Sequence, residues 1–148
     1  MFCLINFSTL GERPIDSAIR EASEEASLPV SYLTNHIRFV GNITFSHRSS
    51  AGWLLPGFYR AFELFLPIDS PIYPKVNAKD GEVERFELLD AQERLHMLIA
   101  GKFKPSSALA IVDFMVRREL YTAEVDVEYD AVLEAMRKDL VVYSYTNN

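Results

Sequence analysis

The sequence predicts an α/β domain in which helices flank a mixed β-sheet. Two apolar stretches rich in Ile, Val, Phe and Tyr, 37–47 and 54–66, have the composition of β-strands. Helical patterns precede and follow them, at 14–26 and in the region 91–140. The chain has 148 residues, of which 49% are hydrophobic, so it can bury the core of one domain covering 1–148.

Local signals place the elements of the N-terminal half. The first seven residues are apolar enough for one strand at most. Pro14 suits the first turn of the next helix, because its missing N–H costs nothing there, and Pro29 stops that helix soon after Ala26. A turn at 48–52 then separates the two central strands.

The C-terminal half is predicted to contain a connector, a third strand and three helices. A Pro-rich connector at 67–79 leads to the third strand at 84–88. Asp113 falls within the apolar pattern of the middle helix, and because a buried carboxylate needs a partner we expect a hydrogen bond or ion pair there. The helices are predicted at 91–100, from a cap at Ser106 or Ser107 onward, and at about 128–140.

Composition narrows the classes of function. A net charge of −6 without a basic stripe argues against non-specific nucleic-acid binding, which depends on clustered Lys and Arg. One cysteine cannot form an internal disulfide, and no apolar run reaches the ~18 residues of a membrane span. The sequence therefore predicts a cytoplasmic protein without nucleic-acid or membrane partners.

A cluster of carboxylates in the first predicted helix is the strongest functional signal. Glu21, Glu24 and Glu25 fall within about one turn, and like charges at this spacing destabilise a helix. A hard divalent cation such as Mg²⁺ would offset the repulsion. Arg20 precedes Glu24 by four residues and can hold it by an ion pair, which leaves Glu21 and Glu25 to reach a metal. Spacing alone leaves open an ordinary solvated helix face.

The stretch Glu12–Leu28 resembles the Nudix box. That pattern reads Gly, five residues, Glu, seven residues, Arg-Glu, an aliphatic residue, any residue, Glu-Glu, any residue, Gly and an aliphatic residue. Every charged position is present in register, whereas Asn6 replaces the first glycine and Ser27 replaces the last.

A second region makes the resemblance more specific. The segments 80–86, 88–89, 101–105 and 113–114, together with Arg117, resemble the C-terminal half of the Nudix domain associated with fungal thiamine pyrophosphokinase and its fungal and plant relatives. Members of that branch share Ser at the position of Ser27. Those with hydrolase activity cleave thiamine diphosphate, or its damaged analogues, to the monophosphate.

The resemblance implies a Nudix-like α/β/α sandwich and hydrolysis of a small diphosphate substrate with Mg²⁺ or Mn²⁺. Glu21, Glu24 and Glu25 would be the metal ligands. Glu24, Glu25, Arg20 and Glu82 would be the catalytic residues, with Arg20 orienting the carboxylates and Glu82 acting as an auxiliary acid or base, a role for which Glu84 in the same segment is the alternative. These roles are expectations carried over from the family.

Candidate substrate-binding residues lie outside the box. Lys104 is expected to meet phosphate oxygens. Tyr59 is expected to stack on an aromatic heterocycle, a role that Trp53 and Phe58 could also fill. The branch usually has Gln-Pro-Glu where this chain has Leu-Pro-Gly at 55–57, so the substrate is less firmly implied than the reaction class.

Two alternatives to the thiamine-type hydrolase stay open. One keeps the chemistry but changes the substrate to an oxidised guanine nucleotide, since the box residues touch only the diphosphate. The other is a degenerate remnant that binds without turnover, because Nudix domains normally have three strands before the box and only ten residues precede Gly11 here. We expect missing N-terminal strands to leave an exposed sheet edge, through which the chain could self-associate.

Overall fold

The computed structural model describes residues 2–6, 11–48, 51–52 and 54–137, with side-chain surroundings for 11–45, 51–52 and 57–136. None of the described helices has both the length and the apolar character that crossing a bilayer requires. The elements are β1 (Phe2–Asn6), α1 (Pro14–Ala26), α2 (Val30–His36), β2 (Ile37–Arg48), β3 (Leu54–Leu64), α3 (Ala91–Ile99), α4 (Pro105–Arg117) and α5 (Tyr129–Arg137).

The described strands form one antiparallel sheet in the order β1-β3-β2. β2 and β3 pair from Ile37 opposite Leu64 to Arg48 opposite Leu54, and β1 pairs with the other side of β3. The sequence predicts a mixed sheet, whereas these strands pair only antiparallel. The short connection between β2 and β3 explains this for one pairing, because parallel neighbours need a long crossover.

Helices pack against both faces of this sheet. Phe62 and Leu64 of β3 share a buried cluster with the alanines of α1, whereas Ala61 packs against Ala110 of α4. Because side chains alternate along a strand, the even-numbered residues of β3 face α1 and the odd-numbered residues face α4. The α/β class predicted from the sequence is therefore confirmed.

Two local predictions for the C-terminal half are wrong. Residues 84–88 form no strand, because none of the described strands pairs with them, and Leu88 is exposed. α4 begins at Pro105 with Lys104 as its N-cap residue, so neither predicted serine caps it. Proline at the first helical position is already preorganised for the helix. The predicted residues 138–140 of the last helix lie outside the described residues.

Candidate functional site

α1 places its acidic residues on the side that the core leaves open. Ala18, Ala22 and Ala26 are at most 1% exposed and pack against the sheet. Their spacing of four residues makes one narrow apolar stripe, as the sequence predicts. Glu21 and Glu25, also four apart, follow along the flank of that stripe and are partly buried.

Arg20 holds three carboxylates at once. It forms a fork on Glu12, with Nε 3.4 Å from Oε1 and Nη2 3.3 Å from Oε2. Its Nη1 donates to Glu24 Oε2 at 3.1 Å, which confirms the predicted ion pair, and its Nη2 lies 3.5 Å from Glu21 Oε1. Buried Ser17 accepts a further hydrogen bond from Nη2 at 3.2 Å. The hydrogen bond with Glu12 is the main cause that raises the pKa of Arg20.

Glu12 is a site residue to which the sequence analysis gave no role. It lies eight residues before Arg20, beyond the reach of the i,i+4 rule, and only the turn into α1 brings the two together. The spacing of the box was the one signal that could have identified it. Arg20, bound to Glu12, thus lies at the N-terminal end of the carboxylate cluster.

Glu21 and Glu25 have raised pKa values. Burial is the main cause for Glu21. Arg20 lowers the pKa of Glu21 and the carboxylates of Glu12 and Glu24 raise it, and the net change is upward. Burial is also the main cause for Glu25, followed by the charge of Glu21. No described residue forms a hydrogen bond or ion pair with the Glu25 carboxylate. These five residues, named here the α1-face cluster, are Glu12, Arg20, Glu21, Glu24 and Glu25.

The segment 75–82 is attached to the C-terminal end of α1. The Lys75 N–H donates to the Ala26 carbonyl at 2.9 Å, and the Asn77 side-chain amide donates to the Glu24 carbonyl at 2.7 Å. These contacts satisfy carbonyls that a helix end leaves without partners. They join positions about fifty residues apart, so the local sequence gives no signal for them.

This attachment brings two further carboxylates within electrostatic range of Glu25. Both Glu82 and Asp80 raise its pKa, Glu82 the more strongly. Glu84, two residues further on, is not among the groups that do so. The structure therefore brings the predicted auxiliary residue Glu82 toward the box, together with Asp80, which was not singled out.

Ser27 shows why the general box pattern has glycine at this position. It follows α1 in a left-handed conformation, with φ +52°. Glycine adopts that conformation without steric cost and is the usual residue just past a helix end. Ser27 therefore adopts a conformation that suits glycine at the point where the chain leaves α1 toward α2.

The α1-face cluster fits a hard divalent cation in the chemistry of its donors. Four carboxylates accompany a single guanidinium, and oxygen ligands are what Mg²⁺ and Mn²⁺ prefer. Within the described part of the chain, no three acidic, His or Cys side chains already converge on one point that could hold a metal ion. Binding would require Glu24 or Glu82 to turn toward Glu21 and Glu25.

Comparison with known proteins leaves the family open. No family model matches the chain. An uncharacterised protein of Saccharomyces cerevisiae, YJR142W, is 29% identical over 135 residues, which cover 84% of this chain. The matched region is 38% of the yeast protein, so the chain corresponds to little more than a third of that relative.

The structure does not bring Tyr59 or Lys104 together with the α1-face cluster. Tyr59 is an odd-numbered residue of β3, 9% exposed, and stacks on Phe45 with ring centroids 4.4 Å apart. Lys104 is exposed at the start of α4, which packs against the opposite face of the sheet from α1. Phe58, the neighbour of Tyr59, is on the α1 side and 52% exposed. Trp53 lies outside the described residues.

A second charged cluster lies on the opposite face of the sheet. Glu63 of β3 is 4% exposed and accepts hydrogen bonds from Arg117 and from Arg118, the latter at 2.5 Å. Arg117 also donates to Asp113 at 2.8 Å, which confirms the partner expected for that carboxylate. Burial alone would raise the pKa of Glu63, but the two arginines lower it. Glu63, Asp113, Arg117 and Arg118 are named here the α4-face cluster.

Proposed function

We propose that this chain is a Nudix-like α/β/α sandwich whose α1-face cluster hydrolyses a diphosphate with the help of Mg²⁺ or Mn²⁺. The observation that carries the proposal is that Arg20 neutralises only some of the carboxylates. Arg20 binds Glu12 and Glu24 and reaches Glu21 at 3.5 Å, whereas Glu25 has no partner among the described residues and lies one helical turn from Glu21. The cluster lacks a cation at Glu25.

The residues of the chain would share the work as follows. Glu21 and Glu25 would hold the metal, and Glu24 would either join them or accept the proton of the attacking water. When bound, a divalent cation would neutralise the charge of the diphosphate and lower the pKa of that water. Glu82 serves as an auxiliary acid or base from the attached segment. Arg20 is a positioning residue, because it would hold Glu12 by its fork and Glu24 by a single hydrogen bond during the reaction.

The raised pKa values of Glu21 and Glu25 suit the binding of a cation. A carboxylate that is desolvated and repelled by a neighbour gains more from a cation than an exposed one does. Perturbed acids gathered in this way are typical of functional sites, although ion-pair networks also produce them.

Thiamine diphosphate or its damaged analogues are the proposed substrates, with the monophosphate as product. This choice rests on the resemblance of 80–117 to one branch of the family. Oxidised guanine nucleotides are the second candidate, since the α1-face cluster would meet only their phosphates.

The test is cleavage of these compounds by the purified chain with Mg²⁺. Glu25→Gln should lower kcat about 100-fold or more, because the charge stabilisation that a bound metal supplies is worth several kcal/mol. Glu82→Gln should lower kcat less. Glu84→Gln is the matched control and should leave kcat unchanged, because Glu84 lies in the same segment but is not among the groups that raise the pKa of Glu25.

The ranking of substrates decides between the thiamine and guanine alternatives. Turnover that survives Glu25→Gln would contradict the proposed site. A folded wild-type chain that shows no turnover would instead support the remnant that binds without catalysis.

A further inference from the structure

On the α1 side of the sheet, the part of β3 before Phe62 lies outside the cluster that α1 covers. α1 packs over Phe62 and Leu64, but the even-numbered residues earlier in β3, Phe58 and Arg60, point to the same side without entering that cluster. Phe58 is 52% exposed. The residues opposite them on β2, Thr44 and Asn42, are exposed as well, and they also line a cavity of about 220 Å³ with Val116 of α4 and Met136 of α5. This surface, Asn42, Thr44, Phe58 and Arg60, is named here the sheet platform.

The sheet platform offers an aromatic ring and a cation side by side. The Arg60 guanidinium lies 5.7 Å from the centre of the Phe58 ring. No described carboxylate forms an ion pair with Arg60, although the chain carries a net charge of −6. Arginine in this setting is suited to phosphate oxygens, and an exposed phenyl ring is suited to stacking on a planar heterocycle.

The sheet platform also adjoins the part of β3 that packs against α1. Counted along β3, Arg60 is ~7 Å and Phe58 ~13 Å from Phe62, which packs against α1. One molecule with an aromatic ring joined to a diphosphate can reach from Phe58 past Arg60 toward α1. The nearness of α1 and the positive charge of Arg60 beside an exposed ring therefore favour a small anionic ligand with an aromatic ring on this face.

The groove between α1 and α2 is a weaker candidate for the same ligand. It has a volume of about 420 Å³ and is lined by Asp16, Ile19, Arg20 and Val30, among others. Asp16 is already paired with Arg13, and Arg20 is held by its carboxylates. The groove thus has no uncommitted cation among these residues to meet a phosphate.

We propose that the sheet platform binds the aromatic part of the substrate, with Phe58 stacked on the heterocycle and Arg60 on a phosphate oxygen. The inference rests on the proposed function and replaces Tyr59 by Phe58 as the stacking residue. Its ligand class is a planar heterocycle carrying a phosphate or diphosphate, whether a thiamine or a purine derivative.

Calorimetric titration with monophosphates tests this without requiring turnover. Thiamine monophosphate and an oxidised guanosine monophosphate are compared with inorganic phosphate, each against wild type, Phe58→Ala, Phe58→Tyr and Arg60→Lys. Phe58→Ala should weaken binding of one organic monophosphate about 10-fold and leave inorganic phosphate unchanged, since stacking acts only on the ring. Phe58→Tyr should restore binding, and the monophosphate affected identifies the heterocycle.

Val30→Ala, in the groove between α1 and α2, is the matched control and should have no effect. Weaker binding with Val30→Ala but not Phe58→Ala would overturn the inference in favour of the groove. So would a wild-type chain that binds neither monophosphate, or a change of oligomeric state caused by Phe58→Ala, which would make this face a contact between copies. A hydrolase assay that fails leaves these results unaffected.

Discussion

The two charged clusters on opposite faces of the sheet differ in balance and in exposure. In the α4-face cluster, two arginines meet two carboxylates, and the central Glu63 is 4% exposed. In the α1-face cluster, one arginine meets an excess of carboxylates, and Glu24 is half exposed. The first is complete as it stands, whereas the second lacks positive charge.

This difference separates a structural role from a functional one. A buried carboxylate with both arginines in place has its desolvation offset within the fold. A group of partly buried carboxylates with raised pKa values does not, and it is stabilised when a cation arrives. Side chains of the same types therefore serve the fold on one face of the sheet and, as we propose, catalysis on the other.

The largest effect on stability is expected from breaking the α4-face cluster. Glu63→Gln leaves Arg117 and Arg118 without the central charge and should lower the free energy of unfolding by about 2 kcal/mol, less than for a fully buried pair because both arginines are partly exposed. Chemical denaturation measures this. Glu87→Gln, which removes an exposed pair with Arg85, is the control and should cost only a few tenths of a kcal/mol.

The pH dependence of that loss has a definite sign. Because the folded-state pKa of Glu63 is lowered, its contribution is present above the unfolded pKa of about 4.3 and is lost as the pH falls through the folded value. The difference in free energy of unfolding between wild type and Glu63→Gln should therefore become smaller in acid. A gap that widens in acid would contradict the ion-pair account.

Arg20→Lys tests the organisation of the α1-face cluster with a smaller expected effect. Lysine keeps the charge but cannot form the fork on Glu12 while it holds Glu24. Metal affinity, followed by titration, should fall about 10-fold, as for other groups that orient metal ligands, with the unfolding temperature nearly unchanged. Arg13→Lys, at the exposed pair with Asp16 one turn or so earlier, should leave the affinity intact. Equal losses in both variants would show a general charge effect.

Removing the charge of Glu25 should have the smallest effect on stability. Its sign should be opposite to that of Glu63→Gln, because the change stabilises the fold. The raised pKa of Glu25 means that its neutral form favours folding, a contribution lost as the pH rises through the folded pKa. Glu25→Gln should thus stabilise the metal-free chain at neutral pH by a few tenths of a kcal/mol. The gain should vanish below the ordinary pKa of about 4.3, and thermal unfolding across pH measures it.

Much of the fold follows from local patterns. The helix at 14–26 is confirmed at both ends, since Pro14 and the alanine stripe are local signals. The central strands, expected at 37–47 and 54–66, occur at 37–48 and 54–64. α2 was not predicted, because seven residues give too short a periodic pattern. The strand expected at 84–88 did not form, since β-propensity depends on a partner edge that the sequence does not show.

The candidate site was predictable where its contacts are close in sequence. The pair of Arg20 with Glu24 follows from helical spacing, and that of Asp113 with Arg117 has the same spacing. The bonds of Asn77 to α1 and of Glu63 to α4 join distant segments and could not be predicted. The choice between Tyr59 and Phe58 depends on which face a helix covers, and both are aromatic, so only the packing decides it.

The most direct test of the difference between the clusters is the change in unfolding temperature that Mg²⁺ causes in wild type, Glu25→Gln and Glu63→Gln. A ligand that binds the native state raises that temperature. We expect Mg²⁺ to raise the unfolding temperatures of wild type and Glu63→Gln by similar amounts, although Glu63→Gln unfolds at a lower temperature without metal. We expect Mg²⁺ to have no effect on the unfolding temperature of Glu25→Gln. A rise in Glu25→Gln as large as in wild type, or a loss of the rise only in Glu63→Gln, would contradict the assignment of the metal site to α1.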